Sequence, residues 1–543
     1  MKRFILPVLI IFFALAGTRV FSETGYVLNL YHFNLQYVAG SEKAMRSIVE
    51  DSFEPLLDFY LEHPGWSADF ELQSQFIEYL AENYPQVLEK FRRLAKTGQA
   101  EIISFHYSDQ LVLAFPSLDQ RRSLKLVKEI FEKYDLPLSG VVFLQEAQFG
   151  EGICALAKEF GYQVAVITPG QYDWFQDDPG IPYFTCRGLE VLKKENFNDP
   201  KTGLKAKWYF LGDGELVITG GISPYFSFLF KPNFFRKKKL EQDFKRLEKK
   251  GYKIATISEY LSALRSLGYQ PRPLKPILDS PWRPEDDKGV FTWMGEYNSK
   301  WEEDYQLRTE NWQTRSWLIS AEKAGISWEK LKPAWKHQLN AEVSDSTGWN
   351  PIPVEIKYGH SESQKVVEIV KNLCPNCAPE PLKFEYIPIL PEEFPTKVSV
   401  IGAREKELKF FKVKDQPELF ALEVKFTAGP DTKISFPFTG SEIIYSPALL
   451  EDQLVKIPLE QIKPRLHYLG LPNGLIGLKP GLWLIRDNRA GCVALGIDPE
   501  KEEVHFRVKK AGGKEFFFRF YILEGAEEEA LKFANSLNQI FVE

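Results

Sequence analysis

The chain is poor in the residues on which the commonest special chemistries rest. Only five cysteines occur in 543 residues, an odd number, so at least one lies outside any intrachain pair and a disulfide scaffold is excluded. The seven histidines include no i, i+4 pair and no His-x-His. Cys374-Pro-Asn-Cys377 has metal-ligand spacing, but no second such pair exists and no His is near it in sequence. A closed zinc site needs four ligands, so no metal and no other cofactor is expected. Basic charge is not in excess: 68 Lys+Arg against 74 Asp+Glu give a formal charge of -6, which would repel a polyanion, so nucleic acid is not an expected partner. Long apolar runs are missing apart from Phe4 to Gly17, which follows Lys2 and Arg3 and precedes Val20-Phe21-Ser22. That run is short for a bilayer span and reads as a secretory signal over residues 1–22. A secreted or periplasmic protein without stable membrane insertion is expected.

Aromatic residues, by contrast, reach 14%, and eight of the twelve Trp lie between Trp282 and Trp349. Hydrophobic residues at 44% and charged residues at 26% describe a folded globular chain of two to four domains. From Gly25 to about Leu264, short apolar runs alternate with amphipathic patterns. Tyr26 to Tyr31, Ala100 to Phe105, Val141 to Leu144 and Val164 to Ile167 read as strands. Ser41 to Leu61, Gln73 to Leu94, Leu118 to Tyr134 and Gly152 to Phe160 read as helices. This rhythm predicts an α/β fold with a parallel sheet, open or closed into a barrel. The Pro-rich stretch Gln270 to Pro276 ends that unit. Trp282 to Pro351 reads as helices, with Trp328, Leu331, Trp335 and Leu339 on one buried face. After Pro379 the strands Leu419 to Phe426, Lys433 to Phe438, Val504 to Val508 and Phe516 to Leu523 predict an antiparallel β-sandwich, closed by a helix from Ala526 to Phe541. The expected domains are therefore 23–268, 269–378 and 379–543.

Polar residues cluster where the predicted strands end, the rim at which parallel α/β folds bind ligands. Glu146 ends the apolar run Val141-Val-Phe-Leu-Gln, and a carboxylate fixed there suits a nucleophile or general base, with Gln148 beside it. Asp213, in Leu211-Gly-Asp-Gly-Glu215, is a second acid at another rim position, although the same residues read alone form a β-turn. Cleavage of a glycosidic bond needs such a pair of carboxyl groups, about 5 to 5.5 Å apart where configuration is retained. His32, Asn34, Gln36 and Tyr37 after the first strand, and His106 and Tyr107 after the second, offer donors, acceptors and aromatic rings suited to sugar hydroxyls and sugar faces. The basic run Arg236 to Lys239, continued to Lys250, reads as solvated surface.

Taken together, these segments resemble glycoside hydrolase family 57, whose members act on α-glucans and related α-linked sugars with retention. His32-Phe-Asn34-Leu-Gln36-Tyr37 is similar to the first motif, with Asn34 where a second His is usual. Gly98-Gln-Ala-Glu101-Ile-Ile resembles the second and Phe143-Leu-Gln-Glu146 the third, in which the Glu is the nucleophile. Asp213-Gly-Glu215 resembles the fourth, which supplies the acid/base Asp, though Leu216-Val-Ile replaces its usual continuation. Ala341-Glu-Val-Ser-Asp345-Ser-Thr-Gly-Trp349 is similar to the fifth, with Ser-Thr-Gly inserted before the Trp. Gly251 to Leu261 looks like the segment that closes the family's barrel, and Asp279-Ser-Pro-Trp282-Arg and Trp293-Met-Gly295 look like segments of exported relatives. The resemblance implies an incomplete (β/α)7 barrel, a helical bundle that completes the site, and catalysis by Glu146 and Asp213. It further implies that Trp282, Trp293, Asp345 and Trp349 join His32, Asn34, Gln36, Tyr37, His106, Tyr107 and Gln148 in binding an oligo- or polysaccharide, with no metal required. Two other functions fit the same residues: an inactive glycan-binding protein, because the fourth motif is broken, and a carbohydrate deacetylase, which would ordinarily need a His and Asp metal site.

Overall fold

The computed structural model of the chain describes residues 25–35, 42–175, 180–219, 231–282, 289–295, 303–348, 353–380, 382–461, 466–509 and 511–541. The expected signal over residues 1–22, and Gln36, Tyr37 and Trp349, lie outside them.

Strand and helix alternate through the first half. The strands are β1 Gly25–Phe33, β2 Ala68–Leu72, β3 Ala100–Ile103, β4 Val141–Val142, β5 Val164–Ile167, β6 Tyr183–Cys186, β7 Leu189–Lys193, β8 Phe197–Asn198, β9 Lys205–Asp213, β10 Tyr252–Ala255 and β11 Arg272–Pro273. They fall in two sheets rather than one continuous ladder. One runs β3-β2-β1-β9-β8 with β10 also on β1, the other β11-β6-β7-β5-β4. Where β3 approaches β4, the Ser139 amide donates to the Ile102 carbonyl at 2.8 Å. Leu28, Leu30, Ile103, Val141, Val164, Val166, Leu192 and Ala206 nevertheless share one core, so the two sheets enclose a common interior.

β1 is central because its residues serve both faces. Val27, Tyr31 and Phe33 pack with the surrounding helices, whereas Leu28 and Leu30 point into the interior, as the two-residue period requires. In register, His32 pairs with Asp213 on β9 and with Glu71 on β2. Neighbouring strands lie about 4.8 Å apart and paired side chains share a face, so these three residues form one row at the carboxyl ends of three strands.

Two expectations are corrected here. The helix predicted over Gln73 to Leu94 is two helices, Ser74–Asn83 and Pro85–Lys96, because Pro85 lacks an amide hydrogen and biases Tyr84 away from helical backbone. The strand predicted over Val141 to Leu144 stops at Val142, and the chain turns tightly at Gln145–Ala147.

The helices Glu303–Lys323, Trp328–Ala341 and Pro353–Leu373 pack on one another, with Leu331, Trp335 and Leu339 fully buried. Beyond them come an eight-stranded and a five-stranded sheet whose pairings are all antiparallel. Alternate residues of their strands turn inward, Leu422, Val424 and Phe426 from one sheet and Phe436 and Phe506 from the other. They pack in the same core as Leu111, Phe149 and Phe291, so the C-terminal half is joined to the first half through buried apolar surface. Disulfides link Cys154 to Cys186 and Cys374 to Cys377, and Cys492 is a buried thiol.

Candidate active site

The row Asp213, His32, Glu71 opens onto a buried ring of alternating imidazoles and carboxylates. His32 Nδ1 meets Glu71 Oε2, His106 Nε2 meets Glu71 Oε1 at 2.9 Å, and Asp109 lies 3.5 Å from His106 Nδ1 and 3.9 Å from His32 Nε2. Burial opposes ionisation of Glu71, but the two imidazoles overcome it and hold this carboxyl down to about 2. Burial likewise disfavours a charged His32 or His106, yet Glu71 and Asp109 raise both above the ordinary imidazole range. Asp109 is pushed up to about 7, first by burial, against the pull of the two imidazoles.

Asn34 ties this ring to two further acids. Its Nδ2 donates to Asp345, its backbone amide to Glu215, and its Oδ1 accepts from Gln73 Nε2 at 2.8 Å. Gln73 also donates to Asp109. An asparagine suits this place because one side chain must accept from Gln73 and donate to Asp345. Asp345 itself sits on the short turn Ser344–Ser346, which is anchored on both sides. The Ser344 amide donates to the Asp109 carbonyl, and the buried Arg308 donates to the Val343 carbonyl and the Thr347 hydroxyl.

Glu146 lies on the turn after β4, where the charges of Asp345, Asp213, His32 and Asp109 act on its carboxyl. It and Ala147 have φ of 56° and 46°, left-handed values that a side chain makes unfavourable by about 1 to 3 kcal/mol each. Three contacts hold the turn: the Ala147 amide on the Leu144 carbonyl, Gln171 on the Ala147 carbonyl, and the Trp282 amide on the Glu146 carbonyl at 3.0 Å. Glu146, Asp213 and Asp345 are the partly exposed acids of the group, whereas Glu71, Asp109 and Glu215 are buried. Desolvation, then Asp345 and then Asp213, push the Glu146 carboxyl up to about 8. Desolvation and Asp213 push Glu215 up to about 8, and desolvation raises Asp345 to about 6. Acids from three distant segments therefore feel one another at one solvent-facing spot, and they cannot all be ionised near neutrality. Solvent-facing carboxyls raised toward neutrality are what acid/base chemistry uses.

Of the residues singled out in the sequence, His32, Asn34, His106, Glu146, Asp213 and Asp345 come together, and Trp282 is partly exposed beside Glu146. Three do not line the spot. Tyr107 is turned away, its hydroxyl on Glu78 at 3.1 Å and its ring under the Lys336 ammonium. The Gln148 amide is engaged by the Gln110 and Gln145 carbonyls and the Leu113 amide, where it fastens the loop that carries Asp109. Trp293 is buried with its indole against Gly348, where a Cβ would come within 2.3 Å of the ring. Glu71, Gln73 and Asp109 were not singled out. For Glu71 and Gln73 the signal was the alternation Asp69-Phe70-Glu71-Leu72-Gln73, in which Phe70 packs with the helices and the acids face inward.

Among the described residues no three His, Cys, Asp or Glu side chains are grouped as metal ligands, and the ring's nitrogens and oxygens face one another. If Glu71 is what holds both imidazoles charged, Glu71→Gln should lower the pH at which His32 and His106 titrate by about 1 to 3 pH units, read from imidazole NMR of the labelled protein. Unmoved titrations would show that Glu71 does not set their charge.

Residues 21–194, about a third of the chain, match the sequence model of Glycosyl hydrolase family 57. An α-amylase from Pyrococcus abyssi is 24% identical over 151 residues, 27% of this chain and 23% of that protein. A 4-α-glucanotransferase from Thermococcus litoralis is 24% identical over 144 residues, 26% of this chain and 22% of that protein. The chain thus spans about a quarter of the length of the curated relatives it matches. In fold, an α-mannosidase structure from Enterococcus faecalis V583 is similar over 96% of this chain and 89% of that one, with a TM-score of 0.62 at 8% identity. The matched range holds His32, Asn34, Glu71, His106, Asp109 and Glu146 and ends before Asp213 and Asp345. Residues 21–194 of this chain carry the sequence pattern of glycosyl hydrolase family 57.

Proposed function

We propose that the protein is a retaining glycoside hydrolase or transglycosylase acting on an α-glucan or a related α-linked polysaccharide. The observation that carries the reading is that Asp213 lies in register with His32, Asp345 is bonded to Asn34, and the charges of both act on the Glu146 carboxyl, beside the His32–Glu71–His106–Asp109 ring. In this reading the ionised Glu146 attacks the anomeric carbon while Asp213 gives its proton to the leaving oxygen. Asp213 then takes a proton from water or an acceptor hydroxyl, which attacks the glycosyl-enzyme and releases Glu146. Exclusion of water by bound substrate raises the Glu146 carboxyl further, so ionisation of Glu146 is what limits the reactive form. Asp345 lies in the same field and is held by Asn34, so its part is to orient sugar hydroxyls and to keep one proton in the group. The two disulfides support a place of action outside the reducing cytoplasm, in agreement with the secretory signal read over residues 1–22.

Product analysis after incubation with maltooligosaccharides, glycogen and α-galactosides tests the reading, with Glu146→Gln alongside. New reducing ends or transfer products of retained configuration are the expected result. A glycan bound without turnover over long incubation would favour an inactive binding protein. The pH profile of kcat/KM is a second check. It should rise as Glu146 loses its proton near about 8, because the attacking carboxyl must be ionised. Asp345→Asn removes a negative charge that raises Glu146 and so eases its ionisation, which should move this rising limb to lower pH. An unmoved limb would mean that Asp345 does not face Glu146.

A further inference from the structure

A second cleft lies between the helical bundle and the C-terminal sheets. This open cleft has a volume of about 310 Å³ and is lined by Gln313, Trp317, Pro379, Asp487, Arg489 and Arg519. It shares no lining residue with the Glu146 site. Trp317 and Arg308 are nine residues apart on the helix Glu303–Lys323, about 14 Å along its axis. We infer that this cleft is a second glycan-binding site, one that holds a short stretch of the same α-linked polymer away from the catalytic acids.

The lining has the chemistry of sugar recognition. Trp317 is half-buried, with the Lys371 ammonium 5.0 Å from its ring centre, and it presents indole surface to the cleft. Across from it the charges come in balanced pairs. Arg519 donates to Glu423 at 2.8 Å and lies 3.6 Å from Asp487, and Arg489 lies 3.5 Å from Asp487. Each guanidinium is paired with a carboxylate, which sets planar donors beside acceptors, what neighbouring hydroxyls on one sugar ring engage. Arg489 Nε is buried without a hydrogen-bond partner, although Asp487 is near, so a hydroxyl could satisfy it. The walls are also held in place from within the protein. Gln313 donates to the Arg489 carbonyl at 2.9 Å, and Asp487 is buried with the Ala490 amide on its own carbonyl. The volume is near the lower end for ligand pockets, enough for one or two sugar rings of a longer chain.

The inference rests on the glycan reading of the Glu146 site, and the test separates the two. Maltoheptaose binding by calorimetry and retardation in glycogen-containing native gels would be measured on the full chain, on Glu146→Gln, and on Trp317→Ala and Arg489→Ala in both backgrounds. Thermal unfolding would verify that each variant is folded. In Glu146→Gln, two classes of site are expected. Trp317→Ala should weaken one class about tenfold and reduce gel retardation, while turnover of a short soluble substrate stays within twofold of the parent. Arg489→Ala, which alters a partly exposed side chain, should do the same. Maltoheptaose binding and gel retardation unchanged in both folded variants would overturn the second site and leave the catalytic reading standing. Binding that depends on Trp317, in a protein whose turnover Glu146→Gln does not alter, would support the second site and overturn the catalytic assignment.

Discussion

Replacing Glu146 by Gln is expected to lower kcat on a cleaved glucan by about 10³-fold or more, a rise of ~4 kcal/mol in the barrier, while glycan affinity stays close to that of the parent. The two side chains have nearly the same shape, so the left-handed turn at Glu146 and its ties to Gln171 and Trp282 persist. What is lost is the carboxylate that would form the bond to the anomeric carbon, an interaction made only as the transition state is reached. Folding should not suffer, because the Glu146 carboxyl is pushed up to about 8 by desolvation and by Asp345 and Asp213. A neutral amide is easier to accommodate there than a charge. A stable, glycan-binding variant with parent-like turnover would show that Glu146 is not the nucleophile. The loss of turnover and the retention of affinity belong to the same measurement, since general unfolding would remove both.

The second large effect is on stability. Arg315 is buried on the helix Glu303–Lys323 and donates from Nε to both oxygens of Asp119, at 2.7 and 2.8 Å, and Asp119 lies on the helix Ser117–Lys133 of the first half. Its remaining nitrogens reach the carbonyls of Gln539, at 2.6 Å, and Ile540 near the end of the chain. Burial first, then Asp119, push Glu342 well above the carboxylate range. One guanidinium therefore fastens three parts of the fold. Arg315→Met keeps much of the volume but leaves a buried charge and two carbonyls without a donor, and should destabilise the protein by about 3 to 5 kcal/mol, measured by urea unfolding. Asp119→Leu combined with Arg315→Met should recover part of that loss, because it removes the uncompensated charge. Limited proteolysis should cut near residues 539–541 sooner in the single variant. A loss under 1 kcal/mol would mean that the pair does not fasten these parts.

The same helix explains why the candidate site needs the whole fold. Arg308, on its inner face, holds the loop of Asp345, while Gln313 and Trp317 face the second cleft. Asp345 reaches Asn34 across 311 residues of sequence, and Glu215 reaches it across 181. No local pattern can report such a meeting.

Much of the architecture was legible before the structure. The alternation of apolar runs with amphipathic segments marked most of the first-half elements, since burial on both faces of a parallel strand and one face of a helix leaves periods that differ. The spacing of Leu331, Trp335 and Leu339 puts them on one helix face for the same reason, and they are fully buried. β2 was missed because Asp69 and Glu71 look like solvent-facing positions in a short strand, and only the enclosed interior makes inward acids tolerable by supplying partners for them. The division at Pro85 was legible in principle, because it depends on the covalent geometry of proline. Tyr107 shows the opposite case. Its residue type suits a sugar site, but its hydroxyl is taken by Glu78 and its ring packs in the core with the helices.

Sequence by itself determined the α/β rhythm, the rim positions of Glu146 and Asp213 and the family pattern in residues 21–194, because backbone periodicity and short motifs are local properties. Only the tertiary structure decided that Glu71 bridges His32 and His106, that Asn34 holds Asp345, and that three acids share one field. The reason is physical: charge interaction and hydrogen bonding depend on distance in space and on exclusion of water, and neither is set until strands, helices and sheets have closed around the site.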